Sequence, residues 1–220
     1  MCCLFAPLGE VPEVEANGLQ SEGSECMGES CLDPLLRSAT LRQEADLLLQ
    51  EIRLYEILGP YGRIVPTGSY YLDVMIYPDI DLYITKVSVE ELFAIGGQLA
   101  MCEKVHQVIF EKSRTAELPG GLYLKPRIEY GQWGRPWKID IWSLEDRVID
   151  EKMVDMLRFK QEMTAEVKER ILRYKYSILT ESHRTPMYSG YYICRAFIDE
   201  GLTDFETVTQ YLVEHGVRMG

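Results

Sequence analysis

The sequence predicts an α+β protein: a β-sheet accompanied by helices, followed by an all-helical C-terminal region. Three observations carry this. Asp79 to Ile84 alternates acid and apolar residues as a half-buried strand does. Leu122 to Trp142 reads as two strands joined by a Gly- and Pro-containing turn. From Ser143 onward the apolar residues recur at helical spacing. With 220 residues, 46% of them apolar and 26% charged, the chain has the composition of an ordinary globular protein and ample length for a core.

Taken in order, residues 1–34 are rich in Gly, Ser, Pro and Glu with little apolar periodicity, and read as a disordered leader. Thr40 with Gln43 predicts a capping box. Leu41, Ala45, Leu48, Ile52 and Tyr55 then form the stripe of one long helix, which Gly59-Pro60 stops. Arg63 to Thr67 reads as a short strand ending at a tight turn on Gly68. Ser69 is placed to cap one or two helical turns before Pro78 breaks them. Ser88 with Glu91 predicts a second capping box, opening a helix whose stripe is Leu92, Ile95, Leu99, Cys102, His106 and Ile109. His106 is read there as a buried packing residue. After the hairpin, helices are expected near residues 144–159, 165–181, 189–200 and 204–215, the last with Thr203 and Glu206 as its box and His215 at its C-terminus. The domain boundaries follow: leader 1–34, sheet domain 35–143, helical domain 144–220.

The chemistry sits in acids on strands. Side chains alternate faces along a strand, so Asp79 and Asp81 share one face, about 7 Å apart, while Ile80, Leu82 and Ile84 take the other. Paired carboxylates on one face suit a hard divalent cation bound by oxygen. In the second hairpin strand Lys138, Asp140 and Trp142 share a face. If Tyr130 pairs with Trp137, Arg127 lies opposite Asp140. That pair is then either a cross-strand ion pair, or a third metal ligand beside a phosphate-binding or charge-balancing arginine. Glu129 is a spare carboxylate with the reach of a base. Lys175 flanks the stripe Val167, Ile171, Tyr174 and Ile178, and either extends to solvent or points across the cleft.

Gly68-Ser69, nine intervening residues, Asp79-Ile80-Asp81, and a later Asp140 on a strand together resemble the signature of the polymerase-beta-like nucleotidyltransferase superfamily. The resemblance spans roughly Thr40 to Trp142. It implies a mixed β-sheet with helices packed on one face, an all-helical C-terminal region covering the active-site cleft, and a nucleotidyltransferase that moves a nucleoside monophosphate from a triphosphate to a hydroxyl acceptor with pyrophosphate release. Asp79, Asp81 and Asp140 would be catalytic and would hold two magnesium or manganese ions. Gly68, Ser69, Lys175 and Arg127 would bind the nucleotide. The antibiotic-modifying members of the superfamily make a small-molecule acceptor the favoured one by analogy. The alternative is a non-catalytic nucleotide-binding or antitoxin-like interaction protein that keeps the fold.

The formal net charge is −12, but seven of the 35 acids fall in residues 1–34, which hold no Lys or Arg. The remainder has 28 acids against 23 bases, a net of −5, which argues against a broad basic surface for nucleic acid. No stretch approaches the roughly 18 apolar residues of a membrane span. Met1 to Pro7 lacks the features of a signal peptide. Four of the six cysteines lie in the leader, and no Cys-x-x-Cys pair is matched by a second pair, so zinc is not expected and a reducing, cytoplasmic setting is.

Overall fold

The computed structural model describes residues 33–115 and 118–219. The expected leader lies, up to residue 32, outside the described residues. Asp33 starts the first helix, α1 (Pro34–Glu51): its carboxylate accepts from the Leu35 amide at 2.8 Å, and Pro34 takes the first helical position, where no amide hydrogen is needed. Thr40 is therefore no cap. It lies one and a half turns inside the helix, and its hydroxyl donates to the Leu36 carbonyl at 3.0 Å. The single long helix predicted through Tyr55 is broken at Arg53, which takes a left-handed conformation (φ 53°). The break lets Leu54 and Leu58 of α2 (Leu54–Leu58) turn into the core, where both are buried.

After a 3-10 turn (Gly59–Tyr61), β1 (Ile64–Thr67) runs directly into α3 (Gly68–Leu72). Thr67 is the residue before that helix and Ser69 lies within it, so Ser69 does not cap it. Asp73, also left-handed (φ 59°), ends α3 five residues before Pro78. Then come β2 (Asp79–Thr85) and α4 (Val89–Ala100), which opens with the predicted Ser88–Glu91 capping box. Here the reading of the sequence needs correction. The helix stops at Ala100, and Val105–Lys112 form strand β3, so His106 is not on a helical stripe. Val105, Val108, Ile109 and Phe110 are β-branched or aromatic, and pairing with β4 (Leu122–Ile128) overrides the helical spacing they share with α4. His106 is half-exposed and lies 3.4 Å from Glu129.

The sheet has the order β1-β2-β5-β4-β3, where β5 is Trp137–Leu144. Only β2 and β5 run parallel; the other neighbours are antiparallel. Ile80, Leu82, Ile84, Ile139 and Ile141, all nearly inaccessible, point into a core closed by α1, α2 and α4. The opposite face carries the acids. Tyr83, Trp142 and Val65 on that face pack against a second apolar cluster built from α5 (Asp146–Glu162), α6 (Ala165–Ser177), α7 (Ser189–Ile198) and α8 (Phe205–Glu214). The four C-terminal helices thus appear where the spacing predicts them, with Asp204 rather than Thr203 capping the last by accepting from the Thr207 amide.

The hairpin register differs by two residues from the expected one. Ile128 pairs with Trp137 and Arg127 with Lys138, so Arg127 is not opposite Asp140. The connection widens because Trp133 folds back onto α1: its Nε1 donates to Glu44 at 2.6 Å, and the Arg37 guanidinium lies 4.8 Å over its ring. Gly131 and Gly134, both at positive φ, make that reversal feasible.

Candidate functional site

The parallel pairing of β2 with β5 puts Asp79 beside Lys138 and Asp81 beside Asp140. One carboxylate oxygen from each of Asp79, Asp81 and Asp140 lies within 4.8 Å of the others. On the other side of β2, Thr67 pairs with Asp81, so the turn at Gly68 falls against that carboxylate. Gly68 has φ +61°, and a Cβ there would overlap Asp81 Oδ2. Both facts demand glycine at this position.

Lys138 stands in the cluster. Its Nζ donates to Asp140 Oδ2 at 2.6 Å and lies 2.9 Å from Asp79 Oδ1, with the three side chains only 13–19% exposed. The Tyr123 hydroxyl donates to the other Asp140 oxygen at 2.6 Å. Burial pushes the Asp79 carboxyl up to about 6, with the charge of Asp140 adding to it and Lys138 opposing. Asp81 is pushed well above the usual carboxylate range, by burial first and then by Asp79 and Asp140. Burial works against the Lys138 ammonium, but Asp79 and Asp140 outweigh it and hold the group protonated. This is the behaviour of more negative charge than the protein itself neutralises.

The donor set fits a divalent cation. Three hard oxygen ligands converge, Asp79 Oδ1 is buried with the Lys138 ammonium at 2.9 Å as its counter-charge, and the absence of a side chain on Gly68 lets the turn lie against Asp81. Lys138 would have to give way to the ion. Lys175 of α6 does not extend to solvent. It is buried, and its Nζ donates to Ser69 Oγ and to the Val74 carbonyl, each at 2.7 Å. Burial pushes its pKa down to about 8, against the pull of Cys194, Asp79 and Asp81.

The structure therefore brings Gly68, Ser69, Lys175 and the three acids to one place. Arg127 lies two strands away on β4, on the same face, across from Lys138. Glu129 is past the end of β4, largely exposed and paired with His106, outside the cluster. Lys138 and Tyr123 were not singled out from the sequence. The strand parity that assigns Asp140 to this face also assigns Lys138, and the parity of Arg127 assigns Tyr123. A concavity of about 630 Å³ between α1 and α6, lined by Leu35, Arg42 and Lys168 among others, includes none of the three acids.

No family model matches the sequence, and no curated protein matches it. Among solved structures the chain is similar to Cid1 poly(U) polymerase. The MgGTP-bound form aligns with a TM-score of 0.43 at 16% identity, over 63% of this chain and 43% of that one. A structure described as providing a basis for Cid1's RNA terminal uridylyl transferase activity aligns with a TM-score of 0.42 at 16% identity, over 62% and 39%. The complex with the UTP analogue UMPNPP gives 0.42 at 13%, over 69% and 46%. This chain thus spans less than half the length of those structures, and at such identities the likeness concerns the fold alone.

Proposed function

We propose that the chain is a metal-dependent nucleotidyltransferase that moves a nucleoside monophosphate from a nucleoside triphosphate to a hydroxyl acceptor and releases pyrophosphate. The observation that carries the reading is the convergence of three carboxylates within 4.8 Å of one another beside the Gly68 turn. Asp79, Asp81 and Asp140 hold the cations, magnesium or manganese and two in number in this reading. When bound, such ions neutralise the charge of the triphosphate and of the attacking and leaving oxygens. Lys175, with Ser69 at 2.7 Å, presents a positive group and a hydroxyl where the triphosphate meets the turn, and Gly68 lets that group approach the backbone. The Tyr123 hydroxyl fixes the Asp140 carboxylate, and Lys138 keeps the acids from repelling one another until ions arrive. In this reading residues 35–143 form the catalytic part and residues 144–220 the helical part that excludes water from the cleft.

The resemblance favours a small-molecule acceptor. The thiols of Cys102 and Cys194, both free, fit a cytoplasmic setting. No helix among the described residues is long and apolar enough to cross a membrane.

The test is incubation with each of the four nucleoside triphosphates and magnesium or manganese, with pyrophosphate release as the readout. Asp79→Asn, Asp81→Asn and Asp140→Asn should each lower the rate at least about a hundredfold while the circular dichroism spectrum is retained. Full turnover in any one of them removes that residue from the machinery. A metal-independent complex with a partner protein, without pyrophosphate release, would favour the non-catalytic alternative.

A further inference from the structure

A second group of cations lies near the carboxylates. Arg127 pairs across the hairpin with Lys138 and so presents its side chain on the same face of the sheet. In the order β1-β2-β5-β4, its strand is three spacings, about 14 Å, from the one that ends at Thr67 beside the Gly68 turn. Arg135 comes from the wide hairpin loop. Its guanidinium lies 5.3 Å over the Tyr77 ring, two residues before Asp79, and reaches the carbonyls of Ser182 and His183 only at 3.4 Å. Arg184 follows directly in the tight turn where the Thr180 amide donates to the Arg184 carbonyl at 2.9 Å. The two loops touch: a Cβ on Gly134 would come within 3.3 Å of the His183 ring.

None of these arginines is held in a close ion pair. Among the described residues, none of Arg127, Arg135 and Arg184 forms an ion pair, although most other arginines do. The Nε atoms of Arg127 and Arg135 are buried and have no hydrogen-bond partner. Burial lowers the Arg135 pKa, and Arg184 and Arg127 add to that against the pull of Asp79 and Tyr77. A buried guanidinium donor left unmatched is costly, and the planar fork matches a phosphate oxygen pair. Trp133, held by Glu44 and Arg37, fixes the loop in advance.

We propose that Arg127, Arg135 and Arg184 form an anion site for a phosphate group on the acceptor, separate from the triphosphate seat at Ser69 and Lys175. The assignment to the acceptor rests on the transferase reading; the anion site itself does not. The phosphate belongs either to a small phosphorylated alcohol or to an oligonucleotide.

The experiment is calorimetric titration of the full chain in EDTA with ribose 5-phosphate, a short oligoribonucleotide, and ribose as the neutral control. Arg135→Gln and Arg184→Gln should each weaken phosphate-ligand binding about tenfold. Arg147→Gln, which removes the same charge from the exposed surface of α5, should leave it unchanged. Arg135→Lys, which keeps the charge but not the fork, should bind weakly and remain folded. Binding of ribose 5-phosphate identifies a small acceptor, and binding of the oligonucleotide alone identifies nucleic acid. The site is overturned if neither phosphate ligand binds better than ribose, or if Arg147→Gln costs as much. In the turnover assay the Arg135 and Arg184 variants should raise KM for the acceptor and leave KM for the nucleotide alone; the reverse assigns the guanidiniums to the triphosphate and overturns the proposal. Arginine-dependent binding without pyrophosphate release from any nucleotide would defeat the transferase reading and leave the anion site standing.

Discussion

Gly68 connects backbone and chemistry at a single atom. Its positive φ is one that side chains rarely adopt, and the space a side chain would need is taken by Asp81 Oδ2. Gly68→Ala should cost about 1–3 kcal/mol from backbone strain, and it should also push Asp81 off the other two acids. Urea denaturation measures the first effect and manganese titration the second, which should show weakened binding. Lys175 makes a prediction in pH. Its folded pKa of about 8 lies below the 10.5 of an ordinary lysine, so the folded state holds that proton less tightly than the unfolded chain. The buried charge therefore costs stability at neutral pH, and the cost is relieved as pH rises from about 8 through 10.5. Lys175→Met should lack this rise, which denaturant midpoints for both proteins across that range will reveal. Parallel slopes would mean that Lys175 titrates as it does in water.

At the scale of elements, β2 was legible because its alternation is strict: Asp79, Asp81 and Tyr83 on one face, Ile80, Leu82 and Ile84 on the other. The four C-terminal helices were legible for the analogous reason at period 3.6. The end of α4 was not. Residues 95, 99, 102, 106 and 109 continue a helical stripe by coincidence, and only the partner strand reveals that residues 105–112 belong to the sheet. The hairpin register failed on a long-range contact that local turn chemistry does not encode, the anchoring of Trp133 to α1. So the acids of the candidate site, and Lys138 with them, were readable from strand parity, whereas the arginines of the proposed anion site were not: the position of Arg127 depends on register, and that of Arg135 and Arg184 on two loops meeting. Trp133→Phe keeps most of the ring but leaves the Glu44 carboxylate without its donor. A loss of about 1–3 kcal/mol is expected, with faster amide exchange confined to residues 129–136. Uniformly faster exchange throughout the sheet would show that Trp133 supports the fold rather than the loop.

For the molecule as a whole, the sheet lies between two apolar clusters, one closed by α1, α2 and α4 and the other by α5 to α8, and its acid-bearing face meets the second. Ligands taken up there stabilise the native state by mass action. Magnesium or manganese should raise Tm, and Asp81→Asn should remove most of that rise. Lys138→Met removes the only cation in contact with Asp79 and Asp140 among the described residues and leaves buried charge uncompensated, so it should cost about 3–5 kcal/mol in EDTA. Saturating manganese should recover much of the difference; a gap of equal size with and without manganese would mean that Lys138 acts only through packing.

The lysine between the acids also bears on how ions reach them. Its ammonium supplies one positive charge among three acids, so in the transferase reading it stands in part for the ions while none is bound. On that reading an ion would enter by exchange with an ammonium group rather than by filling a gap, and the supply of ions would set when turnover begins.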